Sequence, residues 1–181
     1  TFESLWEETE RLVRLSRGLD TLADGDAAGP PAPVDVDLAI AIRSAVELIQ
    51  PAARASGLEI TLAVPARLPA HGNPDQLAQV LGNLLQNAVR YSTPGGQVGI
   101  RAERRPADIL VSVTTSGDGI PADALPHVFE RFYRVEKSRD RERGGAGIGL
   151  SIVKQLVEGH GGKVGAESVG GVTRVWFSLP G

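Results

Sequence analysis

The sequence predicts an α+β layered sandwich, a mostly antiparallel sheet packed against helices. Three observations lead there. Two neighbouring apolar runs, "QVGIRAE" and "DILVSVT", are joined by a polar turn at Arg104 to Ala107. A second pair, "KVGAES" and "TRVWFSLP", closes the chain as a hairpin around Gly170 and Gly171. The segments before and between these pairs repeat their apolar residues at helical spacing.

Composition bounds the function. The chain has 181 residues, enough for one domain and an appendage. Hydrophobic residues make up 41% and charged residues 23%, which favours a folded core over disorder. A net charge of −3 gives no general attraction to nucleic acid or anionic membrane. No apolar run approaches the roughly 20 residues of a membrane span, and no stretch of these residues has the pattern of a signal peptide. Cysteine is absent, which excludes disulfides and thiolate metal sites. The chain starts at Thr1 and holds no methionine, as expected of a piece of a longer protein.

Taken in order, residues 1 to 23 read as one helix. Phe2, Leu5, Thr9, Leu12, Ser16, Leu19 and Ala23 form a heptad seam, with Glu7, Glu8, Glu10, Arg11, Arg14 and Arg17 on the other faces. Such a seam belongs either to a helix packed on its own domain or to half of a helical hairpin or dimer element. Residues 24 to 33 are a linker, where Gly and Pro forbid continued helix. The main domain spans residues 34 to 181. Asp37 can cap a helix carrying Leu38, Ile42, Ala45 and Ile49. "LEITLAV" alternates as a strand, and Pro74 and Asp75 open a helix to about Arg90. After the first strand pair comes a charged irregular segment. The glycines from Gly144 to Gly149 then open a helix to about Glu158, and the closing hairpin follows.

Three constellations carry chemistry. In "RGGAGIGLSIVK", Gly145, Gly147 and Gly149 alternate just before an apolar-periodic helix. Glycine lets backbone approach an anion, and a helix N-terminus offers unpaired N–H groups, so phosphate is the natural guest. A P-loop would need Lys-Ser/Thr after its last glycine, where Leu150 stands, and a dinucleotide fingerprint would need a strand just before it. The plain alternative is a hinge with tight helix packing. In "QVLGNLLQNAVRYS", Asn83, Asn87 and Arg90 share one helix face, opposite Leu77, Val80, Leu81, Leu84, Leu85 and Ala88. An amide oxygen suits Mg²⁺, which keeps waters and shares its shell with phosphates, and Arg90 can neutralise those phosphates. The plain alternative is a solvated polar face. In "VTTSGDGIP", Gly117 and Gly119 follow a strand and can line a flat ligand. Downstream, Phe129, Phe132 and Tyr133 serve as a lid or as core anchors. His71, His127 and His160 stand in separate regions and form no metal or triad pattern.

"NLLQNAVRYS", "GDGIP", "FERFYR" and "GGAGIGLSIVK", in this order and at these separations, resemble the catalytic and ATP-binding domain of sensor histidine kinases, over about residues 34 to 180. "EETERLVRLSRGLDTLA" resembles the second helix of that family's dimerisation and phosphoacceptor hairpin. The first helix, which carries the acceptor histidine in this family, has no counterpart here. The resemblance implies a two-layer sandwich of the Bergerat type, with a mixed, mostly antiparallel sheet covered by helices on one face and preceded by a helix. It implies a protein-histidine kinase that uses ATP and Mg²⁺. Its partners would be the dimerisation hairpin of its own or the sister subunit and a response regulator. It further implies a cytoplasmic domain of a membrane-anchored parent that is a homodimer at full length.

Residue by residue, the resemblance implies that Asn87 binds Mg²⁺, that Asn83 supports the polyphosphate and that Arg90 reaches it. Tyr91 would flank the nucleotide, and Thr115, Gly117, Gly119 and Ile120 would border the adenine with Thr173. Phe129, Phe132 and Arg134 belong to a lid running from Phe129 to Gly144. Gly145, Ala146, Gly147, Ile148, Gly149 and Leu150 would cradle phosphates. ATP-hydrolysing relatives of this fold place a glutamate four residues before the metal-binding asparagine. Here Asn83 stands there and takes no proton at neutral pH, which suits transfer to a protein nucleophile over hydrolysis. Two departures remain. Thr115 occupies the usual aspartate position, with Asp118 displaced by three residues, and Val172 stands where the family often has glycine. They leave open a degenerate, non-catalytic module of the same fold. An anti-sigma type of serine/threonine kinase shares the fold as well, but the heptad helix and "FERFYR" speak against it.

Overall fold

The computed structural model describes residues 34–135 and 147–181. The predicted helix at 1 to 23 and the linker at 24 to 33 lie outside the described residues. Strand β1 (Val34–Asp37) leads into helix α1 (Leu38–Ala55), followed by β2 (Glu59–Ala63) and β3 (Pro69–Gly72). Helix α2 (Pro74–Tyr91) precedes the paired strands β4 (Gln97–Arg104) and β5 (Asp108–Ser116). A 3-10 turn at Leu125–His127, helix α3 (Gly149–Gly159) and the hairpin β6 (Lys163–Val169) and β7 (Val172–Pro180) complete the domain.

The main sheet has the order β2-β4-β5-β7-β6. Only β2 and β4 run parallel, and every other neighbouring pair is antiparallel. Successive side chains of a strand point to opposite faces. Val98, Ile100 and Ala102 of β4, Ile109, Val111 and Val113 of β5, and Phe177 and Leu179 of β7 therefore share one face. All lie in a single core with Leu77, Val80, Leu81, Leu84, Leu85 and Ala88 of α2. Those six are the face predicted from the 3.6-residue period. Ile152, Val153, Leu156 and Val157 bring α3 into the same core, and Leu38, Ala39, Ile42, Val46 and Ala53 bring α1. Burying such side chains contributes roughly 1.5–3 kcal/mol each. The helices thus cover one face of the sheet, as the fold class requires.

The short sheet of β1 and β3 was not predicted. Its four pairs run from Val34 with Gly72 to Asp37 with Pro69. One carboxylate organises this corner. Asp37 Oδ1 caps α1 by accepting from the Ala39 N–H at 3.0 Å, and it also accepts from the Leu68 N–H at 2.9 Å. The Leu68 bond is the chief reason that the Asp37 carboxyl is held below its ordinary pKa, with the Ala39 bond and Arg67 acting in the same direction. The histidines take structural positions. His160 Nδ1 donates to the Leu156 carbonyl at 2.7 Å and Nε2 accepts from the Asn73 N–H at 3.0 Å, so the ring clamps the end of α3 to the start of α2. His71 pairs with Asp35 at 2.9 Å and His127 with Glu130 at 2.7 Å. Among the described residues no helix is long and apolar enough to cross a membrane.

Candidate functional site

The α2 helix builds one wall. Its leucines enter the core, which turns Asn83, Asn87 and Arg90 to the opposite side, where all three are half-buried. The two asparagines are held differently. A methyl group placed on Gly149 would lie 3.6 Å from Asn87 Nδ2 and 3.7 Å from Oδ1, so the Asn87 amide packs against the first residue of α3. Asn83 Nδ2 is buried and has no hydrogen-bond partner among the described residues. A buried amide without a partner is costly, of order 1–3 kcal/mol, and rare enough to require a reason.

The N-terminus of α3 forms a second wall. Ile148 stands at its N-cap position and no side chain caps it, and its first turn holds no acidic residue. Ser151 Oγ bonds back to the Ile148 carbonyl at 2.8 Å and so caps none of the first N–H groups, which an α-helix leaves without partners of its own. Ile148 is buried and Leu150 packs against the core, so these two offer the site backbone only. Gly147 is fixed by its surroundings. Its φ is +70°, and a Cβ there would sit 2.9 Å from the Tyr133 carbonyl oxygen, 3.0 Å from Phe132 C and 3.1 Å from Arg134 Cγ. Phe132 donates its N–H to the Gly147 carbonyl at 2.9 Å and itself has a φ of +64°, a conformation rare for a bulky residue. The residue is 64% exposed. Phe129 is half-buried one turn earlier. Residues 136–144 of the expected lid, and Gly145 and Ala146 of the expected phosphate cradle, lie outside the described residues.

The sheet supplies the floor. Gly117 N–H donates to the Gly171 carbonyl at 2.8 Å, and a Cβ on Gly117 would meet the Tyr91 carbonyl oxygen at 2.6 Å. The loop after β5 is thereby drawn down onto the end of α2, and only glycine permits that approach. Thr115 is buried at the end of β5, opposite Thr173 of β7. Ser168 of β6 pairs with Thr173 in turn, and its Oγ accepts from the Ile120 N–H at 2.8 Å. The sequence reading missed Ser168. Registering the hairpin on the Gly170-Gly171 turn would have found it, because that register sets residue 168 against 173.

The structure thus brings Asn83, Asn87, Gly147 and Gly149 together on one side, and Thr115, Gly117, Gly119, Ile120 and Thr173 on the floor. Phe132 and Arg134 reach the site through their contacts with Gly147, and Tyr91 through its carbonyl, the residue as a whole being 41% exposed. Arg90 shares the polar side of α2. Among the described residues no group of three or more His, Asp or Glu side chains is placed to hold a metal ion. A cation here would take its remaining ligands from a bound molecule or water.

A family model described as "Histidine kinase-, DNA gyrase B-, and HSP90-like ATPase" matches residues 72–181. The signal transduction histidine-protein kinase BaeS of Escherichia coli (strain K12) is 34% identical over 184 residues, covering 99% of this chain and 39% of BaeS. The structure of full-length ShkA in complex with AMPPNP superposes with a TM-score of 0.83 at 31% identity, covering 98% of this chain and 37% of that one. The mycobacterial sensor histidine kinase MprB superposes with a TM-score of 0.72 at 32% identity, covering 82% of this chain and 97% of that one. The chain therefore spans about two fifths of BaeS and of ShkA. With the sheet order, the helix wall and the glycine loops in place, it belongs to the histidine kinase-, DNA gyrase B- and HSP90-like ATPase family, on the side of the sensor histidine kinases.

Proposed function

We propose that this chain is the ATP-binding catalytic part of a two-component sensor histidine kinase. The observation that carries the reading is the buried Asn83 Nδ2, without a partner among the described residues, on the same helix side as Asn87, which faces the uncapped start of α3. An orphaned donor, an amide oxygen suited to Mg²⁺ and open helix N–H groups fit a magnesium polyphosphate. Asn87 would ligate Mg²⁺ through Oδ1, Asn83 would donate to the polyphosphate, and Arg90 would neutralise its charge. The backbone of residues 147 to 149 would cradle the phosphates. Bound ATP supplies the γ-phosphoryl group. The protein contributes positioning and charge neutralisation, and Asn83 offers no base to activate water.

The recipient is a histidine on the dimerisation hairpin, whose second helix we assign to residues 1 to 23, with residues 24 to 33 as linker. The phosphoryl group then passes to a response regulator. The parent is a homodimer anchored in the inner membrane with this domain in the cytoplasm. Thr115 favours one other reading, a non-catalytic module of the same fold, because a hydroxyl replaces the carboxylate expected at the base.

Calorimetric titration with Mg-ATP tests the site. The unaltered chain binds, and Asn87→Ala, a change on a polar helix side and to a better helix former, removes Mg-dependent binding while the far-ultraviolet circular dichroism is kept. Equal binding by both proteins overturns the assignment. Labelled ATP should mark a separately supplied acceptor hairpin and leave the chain alone unmarked. Binding without transfer to any hairpin selects the non-catalytic reading.

A further inference from the structure

Three hydroxyls lie side by side at the floor of the site. Thr115 pairs with Thr173 across β5 and β7, and Thr173 pairs with Ser168 across β7 and β6. Strand alternation sets all three toward the helices. Thr115 follows Val111 and Val113, Thr173 precedes Val175 and Phe177, and Ser168 follows Val164, and each of these apolar residues belongs to or packs on the helix-side core. Ser168 Oγ accepts the Ile120 N–H at 2.8 Å and lies 3.0 Å from Thr173 Oγ1. A Cβ on Gly119 would stand 3.1 Å from the same Oγ, so the loop that borders the floor rests on this serine. No carboxylate belongs to the row.

We infer that this hydroxyl row reads the base of a bound nucleotide, and that it admits 6-oxo purines beside adenine. The inference rests on the nucleotide reading above and names its base specificity. A carboxylate in the position of Thr115 only accepts hydrogen bonds. It matches the 6-amino group of adenine and opposes the 6-oxo group of guanine or hypoxanthine. A hydroxyl carries one donor hydrogen and two acceptor pairs, and it turns to suit either group. The row reinforces this. The Ile120 N–H is a fixed donor that occupies one lone pair of Ser168. Either hydroxyl of the Ser168–Thr173 pair can give the hydrogen between them, so the Thr173 hydroxyl can offer a bound base a hydrogen or a lone pair. A 6-oxo group beside Thr115 and Thr173 thus finds hydroxyls that can turn to donate, and a 6-amino group finds their lone pairs. Sites whose buried polar atoms are mismatched to a ligand reject it by about 10⁴-fold or more, and a floor without a fixed acceptor loses that rejection.

The test is a titration of the chain with Mg-ATP, Mg-GTP and Mg-ITP, the last of which carries the 6-oxo group without the 2-amino group. We expect ITP within about tenfold of ATP, since the hydroxyl can pair with both edges. GTP matches ITP if the 2-amino group finds room and falls below it if it does not, and ITP alone decides the role of the row. Thr115→Asp should tighten ATP roughly 5- to 30-fold, as a charged acceptor replaces a neutral one, and weaken ITP. ATP binding with ITP rejected by a hundredfold or more overturns the inference and leaves the nucleotide reading standing. So does a Thr115→Asp variant with an unchanged ATP-to-ITP ratio, in which case Thr115 merely ends its strand as a β-branched residue. Binding of none of the three nucleotides overturns the nucleotide reading and this inference with it.

Discussion

Helices α2 and α3 pack in the same core and begin in opposite ways. The α2 helix starts closed. Asn73 Oδ1 accepts from the N–H groups of Asp75 and Gln76, both at 3.0 Å, Pro74 takes the first position, and Asp75 sets a negative charge in the first turn. The α3 helix starts open, with no side-chain cap, no acid and a glycine in front. A missing cap costs about 1 kcal/mol, which α3 offsets by burying Ile152, Val153, Leu156 and Val157. Stability alone gives no reason to treat the two ends differently. The closed end sits beneath the His160 clamp, and the open end faces the asparagines of α2. On the proposed function, local stability was relinquished where a phosphate would be met.

Giving α3 the acid that α2 already has breaks the comparison most sharply. Gly149→Asp fits, since its Cβ would make only ordinary contact with Asn87 at 3.6 Å. A carboxylate about 4 Å from a phosphate opposes it by about 4 kcal/mol at a near-surface dielectric, enough to remove detectable Mg-ATP binding. The ligand-free protein should instead gain about 0.3–1 kcal/mol from the helix dipole. Thermal unfolding with and without nucleotide checks both halves. A variant that still gains stability from Mg-ATP would mean that this helix end meets no phosphate.

How much of this was legible beforehand varies by element. The α2 helix was fully legible, because six apolar residues at helical period and two asparagines opposite them admit one orientation. The paired strands and the closing hairpin were legible from alternation and from the Gly170-Gly171 turn, whose φ values of +59° and +78° are those of a tight hairpin. The β1–β3 sheet was not. "VDVD" and "PAHG" carry Asp, Pro, Ala and Gly, poor strand formers, and they pair because Asp37 ties Leu68 to the start of α1. At the site, glycine spacing pointed to the loops, but nothing in "KVGAES" marked Ser168. Its meaning arises only once β6 and β7 are in register.

A second change works at the closed end and is smaller. Asn73→Ala removes the acceptor for two N–H groups and should cost about 1 kcal/mol of unfolding free energy. Urea titration reads that loss from the shift in midpoint at constant slope. Affinity for Mg-ATP should stay within twofold or so, since that end of α2 faces His160 and Gly72, away from Asn87. A large fall in affinity would show that the two ends of α2 are coupled, and the division between a structural and a binding end would fail.

The smallest effect separates the two capped helices from each other. The α1 cap is a carboxylate and the α2 cap an amide, so only α1 has a cap that titrates. Hydrogen bonds from Leu68 and Ala39, with Arg67 nearby, hold the Asp37 carboxyl below its ordinary pKa. The folded group therefore titrates below its unfolded value, and the unfolded chain takes up the proton first. What Asp37 contributes is complete above the unfolded value of about 3.9 and is lost as pH falls through the folded one. Asp37→Asn keeps an oxygen to accept from Ala39 and Leu68 but has nothing to protonate. Both proteins should be unfolded in urea at about pH 6 and again at about pH 3, which brackets that unfolded value. The unaltered protein should lose more stability over the interval than the variant does. Asp108, which Arg105 likewise holds below its ordinary pKa, weakens both proteins alike and cancels in the difference. An equal loss in the two would mean that the Leu68 and Ala39 bonds are no stronger to a carboxylate than to an amide, and the corner joining β1, β3 and α1 would owe nothing to charge.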